Sequence, residues 1–262
     1  MAVILRGKQP SVMLPGAGDC AVVWTGGEPV GEPPLKTSWH DYLLSTLAIS
    51  LLLLISLLAV SGVQPWSRAT LGDYHVLFDL MLGMVVYGLA TALLIRTLLR
   101  WYPLRPGAYG EQSSEFIYWK LLTVVYRLGQ GALRPFVPVF MQPVVELLYG
   151  ARIGRDVALG GVIDDPYRVS VGDGTALGTA SMVCGSFIGG GVLTSGPVRI
   201  GKQVTVGPNC VIFPNTELGD GSVLMVGAYL MPGTRVPAGE TWRGIPARKW
   251  VQASGTRANA ND

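Results

Sequence analysis

Toward the C-terminus the hydrophobic positions recur with a period of six. From Ile200 the series runs Val206, Ile212, Leu218, Leu224, Leu230 and Val236. Two residues before each member stands a small or β-branched residue: Val198, Val204, Cys210, Thr216, Ser222, Ala228 and Thr234. A helix repeats near 3.6 and a pleated strand at 2, so a period of six predicts a left-handed parallel β-helix, three hexapeptides to each triangular coil. Positions i−2 and i share one face of a short strand, and both point into the narrow interior. Gly201, Gly207 and Gly219 directly follow three of the aliphatics and are expected to let the backbone turn the corner.

The same ladder runs upstream through Ile153, Leu159, Val171, Leu177 and Val183, with Ala151, Val157, Val169, Thr175 and Ser181 as inner partners. It misses at Asp165, inside Asp164-Asp165-Pro166-Tyr167. The two registers differ by one residue, with the seam between Cys184 and Pro197. Gly185 to Gly196 therefore reads as a loop thrown out of the coil, and loops on a rigid scaffold are where function concentrates.

The first half of the chain has no such ladder. Tyr42 to Val63 is an uncharged, Leu-rich run of 22 residues, long enough at about 1.5 Å per residue to cross a hydrocarbon core of roughly 30 Å. After a short loop with Pro65, Arg68 and Asp73, a second span is predicted over Tyr74 to Ile95. Asp79 in it is either a functional intramembrane acid or a headgroup-level or helix-packing residue. Gly88 and Ala92 form a small-xxx-small pair suited to close helix contact. Arg96, Arg100 and Arg105 follow the second span, so the positive-inside rule places both chain ends and the β-helix on the cytoplasmic side of an inner membrane. From Glu115 to Leu148 charges and prolines interrupt the apolar pattern, and interfacial amphipathic helices or a helical collar on the first coil are expected. The resulting division is a tail over 1–38, a two-helix membrane region over 39–100, a collar over 101–149, a β-helix over 150–250 and a disordered tail over 251–262. Met13-Leu14-Pro15-Gly16 with Trp24 and Pro29 echoes Leu230-Met231-Pro232-Gly233 with Trp242 and Pro246. That echo is either the remnant of a preceding β-helix or a coincidence of Gly/Pro-rich tails.

Composition agrees with a membrane portion: 49% of residues are hydrophobic and 14% charged, with mean hydropathy +0.40. A net charge of +3, without basic runs interleaved with aromatics, points away from nucleic acid. The three cysteines, Cys20, Cys184 and Cys210, lack metal-ligand spacing, and both histidines, His40 and His75, precede the β-helix, so no metal is expected. The two late cysteines sit on or beside ladder positions and read as reduced, small apolar residues.

Pro197-Val198-Arg199-Ile200-Gly201, the hexapeptide run and the closing Gly244-x-Pro246-Ala247-Arg248 resemble the hexapeptide-repeat acyltransferase superfamily. The paired spans, Leu148-Tyr149-Gly150-Ala151-Arg152-Ile153-Gly154 and the Asp-Pro corner are further similar to the C-terminal membrane region of poly-lysine-synthetase-type nonribosomal peptide synthetases. The resemblance implies acyl or aminoacyl transfer from a thioester, acyl-CoA or phosphopantetheine, to an amine or hydroxyl. It also implies a homotrimer or tandem β-helix partners, and donors delivered by an adenylation and carrier module. One departure stands out: the superfamily uses a histidine near the seam as general base, and here Cys184, Gly185, Ser186 and Phe187 occupy that place. Asp164 or Asp165 is then either a desolvated base or an Asx-Pro turn. Cys184 is a nucleophile or a structural thiol. Gly244, Pro246, Ala247, Arg248 and Lys249 are a phosphate-holding closing loop, as the resemblance implies, or a solvated basic tail. The alternative to an enzyme is a catalytically degenerate scaffold or oligomerisation module.

Overall fold

The computed structural model describes residues 39–251. The N-terminal echo, Cys20 and nearly all of the expected C-terminal tail lie outside the described residues.

Two long helices, α1 (Trp39–Leu71) and α2 (His75–Trp101), form a hairpin joined by a single 3-10 turn at Gly72–Tyr74. The connection is shorter than the sequence suggests, because Pro65 and Arg68 lie inside α1. The helices are tied by Ser56 Oγ donating to Gly83 O at 2.7 Å and by Ser67 Oγ donating to the buried Asp79 Oδ1 at 2.8 Å. Asp79 is thus a helix-packing residue, its desolvation offset by a hydrogen bond.

A short strand β1 (Gly107–Gly110) leads to α3 (Ser114–Leu133), which Ser113 caps by accepting from Phe116 N. The three prolines of the interrupted region, Pro135, Pro138 and Pro143, fall after α3, so it runs unbroken for 20 residues. It packs on α2 through glycines. A Cβ on Gly88 would collide with Leu133, and one on Gly129 with Thr91 and Tyr149. The small-xxx-small pair therefore admits α3 against α2, while α1 meets α2 elsewhere. At the start of the hairpin Lys120 of α3 pairs with the buried Asp41 at 2.7 Å. A 3-10 turn at Val139–Met141 and α4 (Gln142–Leu148) then cover the first coil.

The remainder is a parallel β-solenoid. Its first coil is β2 (Arg152–Ile153), β3 (Ala158–Leu159) and β4 (Val162–Asp164). The second is β5 (Val169–Val171), β6 (Ala176–Leu177) and β7 (Met182–Cys184). A hairpin of β8 (Ser186–Gly189) and β9 (Val192–Ser195) intervenes. The third coil is β10 (Val198–Ile200), β11 (Thr205–Val206) and β12 (Val211–Ile212), and the fourth β13 (Thr216–Leu218), β14 (Val223–Leu224) and β15 (Tyr229–Leu230). β16 (Arg235–Val236), β17 (Thr241–Arg243) and β18 (Arg248–Lys249) close the end. Equivalent strands stack into three sheets, β2-β5-β10-β13-β16, β3-β6-β11-β14-β17-β18 and β4-β7-β12-β15, every pair parallel except β17–β18.

The ladder residues are the core: Val171, Ile200, Leu218 and Val236 stack in one column and Val183, Ile212 and Leu230 in another, all buried. Their small partners Thr175, Val204, Cys210, Thr216, Ser222 and Ala228 are likewise buried. Cys184 and Cys210 are free thiols. Two details differ from expectation. Gly201, Gly207 and Gly219 do not supply the positive φ of the corner; that falls three residues after each aliphatic, at Gln203, Asn209, Asn215, Gly221, Gly227, Gly233 and Gly239. The glycine after the aliphatic provides clearance instead. A Cβ on Gly207 would lie 2.7 Å from Val226 N, and one on Gly219 2.8 Å from Ala238 Cα, both in the next coil. The miss at Asp165 is a slipped strand: Ile163 takes the inward position opposite Val183, and the surplus residues form a 3-10 turn at Pro166–Arg168.

Candidate functional site at the hairpin base

Ile200 pairs with Leu218 across 18 positions, but Val171 pairs with Ile200 across 29, so eleven residues leave the coil between the second and third turns. They fold into an antiparallel hairpin with a two-residue Gly190-Gly191 turn at φ 60 and 73, which matches the twist of the flanking strands. The segment predicted as a loop is thus a structured β-hairpin. Its second strand also pairs antiparallel with β1, Gly107 opposite Ser195 through Gly110 opposite Val192, so the linker after α2 is sewn to it. At its base Gly196 N donates to Gly185 O at 2.9 Å. Gly185 has no room for a Cβ, which would sit 2.7 Å from Arg168 Cβ and 2.9 Å from Asp165 Cβ.

Asp165 lies beneath this base, buried, with the left-handed backbone that Asp tolerates (φ 56, ψ 61). Its Oδ2 accepts from Ser186 Oγ and from Trp119 Nε1 at 3.3 Å, and its Oδ1 from Tyr167 OH at 3.1 Å. Burial raises its pKa; the three hydrogen bonds and the nearby Arg168 oppose the shift. Arg168 Nη2 donates to Leu104 O at 2.7 Å and Arg105 O at 2.8 Å, fastening the linker to the coil. Asp164 is half-buried and ion-paired with Arg127 at 2.7 Å; desolvation moves its pKa up, against the pull of Arg127. Cys184 stands opposite Asp164 in the β4–β7 register. Desolvation and the two aspartates push its thiol up to about 12, so it is protonated at neutral pH, and the thiolate is the nucleophilic form.

The structure therefore brings Asp164, Asp165 and Cys184 together, with both aspartates partnered inside the protein and the thiol buried. A general base needs a lone pair facing substrate, and the Asp165 carboxylate already takes three protein donors. Trp119, Tyr167 and Arg168 were not legible as its partners. Trp119 comes from α3, 46 positions away, and carries no motif.

The closing tail lies at the other end of the solenoid. Tyr229 N donates to Gly244 O at 3.0 Å and Ala247 N to Tyr229 O at 2.8 Å, which lays the tail along the edge of β15. The buried Ala247 completes the core there, while Pro246 is exposed. Lys249 Nζ is paired with Glu240 at 2.5 Å, and Trp242 Nε1 donates to the same carboxylate at 2.9 Å. Arg248 is exposed and makes no ion pair among the described residues. From β4 to Ala247 is four strand spacings, about 19 Å. Within one chain the acidic cluster and the basic tail do not share a site. Two cavities lie elsewhere on the surface, the second on the linker that Arg168 holds. One of about 600 Å³ follows the corner of Gly154, Gly172 and Gly201 between Arg152 and Lys202. The other, of about 330 Å³, lies between Tyr102, Leu104, Arg105, Tyr109 and Glu115.

No protein-family model and no curated protein matches the chain. Among solved structures it is similar to a hexapeptide-repeat acetyltransferase from Vibrio cholerae in complex with acetyl coenzyme A, at 21% identity and a TM-score of 0.36, covering 40% of this chain and 62% of that one. A galactoside acetyltransferase in complex with coenzyme A matches at 17% identity and a TM-score of 0.41, over 60% of this chain and 90% of its own. Soybean serine acetyltransferase in complex with serine matches at 17% identity and a TM-score of 0.34, over 74% and 70%. The chain thus spans less than two thirds of the Vibrio protein's length.

Proposed function

We propose that this chain is a membrane-tethered, acyltransferase-like unit built on a left-handed parallel β-helix. It takes an acyl or aminoacyl group from a coenzyme A or phosphopantetheine thioester and passes it to an amine or hydroxyl, in a system of the nonribosomal-peptide type. The observation that carries the reading is the pairing of a regular hexapeptide solenoid that expels one hairpin between its second and third coils with a closing tail that leaves Arg248 free in solvent. Arg248 has the bidentate chemistry for a phosphate. Because the tail and hairpin base are three strand spacings, about 14 Å, apart in one chain, a complete donor site is assembled between copies.

Two outer columns of the prism that carry no charge support a homotrimer. The outer column of the second sheet is Ala158, Ala176, Thr205, Val223 and Thr241, and that of the third is Val162, Met182, Val211 and Tyr229. The first sheet instead carries Arg152, Ser170, Arg199, Glu217 and Arg235, with Glu217 bridging Arg199 at 2.7 Å and Arg235 at 3.5 Å. Membrane tethering is supported by the hairpin, whose leucines face outward: Leu57 is 66% and Leu58 62% exposed. A soluble core helix would bury them. Arg96 and Arg100 at the end of α2 and Arg105 after it favour an inner membrane with the solenoid on its cytoplasmic side.

The test is calorimetric titration of the detergent-solubilised protein with acyl-CoA and pantetheine thioesters. Micromolar binding that weakens about tenfold or more in Arg248→Ala is expected. The buried Asp165, already held by three protein donors, and the neutral Cys184 favour a second reading, a scaffold that has lost its chemistry. Folded protein that binds none of the thioesters would establish that reading.

A further inference from the structure

The cap over the first coil has two unlike faces. Inward, Val145 and Glu146 are buried, and Ala151 N donates to Glu146 O at 3.0 Å, which locks α4 onto the start of the solenoid. Outward, Val139 is 74% and Phe140 80% exposed, with Met141, Val144 and Leu147 also exposed beside them. Five neighbouring large apolar side chains in solvent are not the surface of a free-standing domain; a contiguous patch of this kind marks a docking face. Its position identifies the partner. Arg96 is the first cation after the uncharged stretch of α2, and its Nη2 donates to Leu147 O at 3.1 Å. That bond fixes α4 at the level where the apolar span of α2 ends. Deeper along α2, Leu133 packs on Gly88 just before the chain turns toward Val139. The exposed Arg96 thus stands at the edge of the patch, where it complements anionic head groups.

We infer that the outward face of the segment Val139–Leu148 is a second membrane contact, a foot seated at the boundary between acyl chains and head groups, on which the solenoid stands. The inference rests on the reading of α1 and α2 as a membrane hairpin. It adds that the capped end of the β-helix is pressed against the bilayer, so the solenoid is held by two attachments and cannot swing freely on the α2 linker. Lipid is the occupant because the apolar patch continues the depth of the hairpin and is edged by Arg96 where the apolar span of α2 ends.

Nitroxide labels read this directly by power saturation in anionic-lipid nanodiscs. The full chain carries Cys20→Ser, retains the buried Cys184 and Cys210, and is labelled singly at Phe140→Cys or Val144→Cys. Leu54→Cys on α1 and Arg235→Cys on the solenoid serve as references. The expected result is a Phe140 label more accessible to oxygen than to a water-soluble nickel chelate, shallower than Leu54 and opposite in sign to Arg235, with Val144 agreeing. A Phe140 label as exposed to nickel as Arg235, while Leu54 reads deep, would overturn the foot and leave the hairpin reading standing. Labels at 140 and 144 shielded from both reagents would overturn it too, because protein, a second copy or the segment 1–38, would then cover the patch. If Leu54 is also nickel-accessible, both readings fail.

Discussion

At the scale of single residues, Ile212 and Asp165 show how differently this chain treats its interior. Ile212 lies in the centre of the solenoid, stacked between Val183 and Leu230 and fully buried. An aspartate there would be a charge with no partner, costing several kcal/mol. Ile212→Asp is therefore expected to abolish cooperative melting of the β-sheet signal in detergent, and a folded variant would refute the register. Asp165 is a charge that the structure does accommodate, through Ser186, Trp119 and Tyr167, with Arg168 nearby. Asp165→Ala leaves those donors and the Arg168 cation unanswered. A loss of about 3–5 kcal/mol is expected, by analogy with breaking one side of a buried pair. Chemical denaturation measures it, and a stability within about 1 kcal/mol of wild type would show that the cluster is dispensable to the fold. The difference between these residues was only half legible. Ile212 is recognisable because its neighbours at six-residue intervals are aliphatic; Asp165 registered as the ladder's miss, read as a base or an Asx-Pro turn, while its donors Trp119 of α3 and Ser186 of the hairpin did not.

At the scale of elements, a polar joint holds the helices to the first coil. Tyr126 of α3 donates to Ile163 O at 2.8 Å and lies 3.0 Å from Glu146 Oε2, while Gln130 Nε2 donates to Glu146 Oε1 at 2.9 Å. Tyr126 has one hydroxyl hydrogen and two acceptors. A protonated Glu146 resolves the conflict by donating to the Tyr126 oxygen and leaving that hydrogen for Ile163 O. Desolvation, opposed by the Tyr126 and Gln130 hydrogen bonds, raises the Glu146 pKa from 4.5 to about 7. Because the folded-state value is the higher one, the joint's contribution is fully present below about pH 4.5 and is lost as pH rises to about 7. The loss corresponds to about 3 kcal/mol. Glu146→Gln is expected to flatten the melting temperature between pH 5 and 8 and to raise it at pH 8. A variant as pH-dependent as wild type over that range would remove Glu146 from the account. The expelled segment belongs at this scale as well. Its boundaries followed from the register shift, but its pairing with Gly107–Gly110 did not, because those four residues carry no alternation that announces a strand.

At the scale of the whole molecule, the prism has one charged outer column and two uncharged ones, and the helical hairpin stands at the end where the first coil begins. A trimer packed through the uncharged columns is expected to appear on cross-linking in detergent. Val211→Glu, placed on the outer column of the third sheet, is expected to shift the product to monomer without changing the circular dichroism; a trimer that survives it would move the interface elsewhere. By itself the sequence determined the solenoid, its inward columns, the place where the hairpin leaves it and the two long apolar helices. Each of these repeats or accumulates locally: a short strand and a corner recur every six residues, and twenty apolar residues make a long helix wherever they occur. Only the tertiary structure decided that Gly88 receives α3, that Gly207 and Gly219 make room for the coil beneath them, and that Asp165, Trp119, Tyr167 and Ser186 meet. Those contacts join segments tens of residues apart, and their geometry depends on where a rigid coil corner happens to face a helix, which no local pattern encodes.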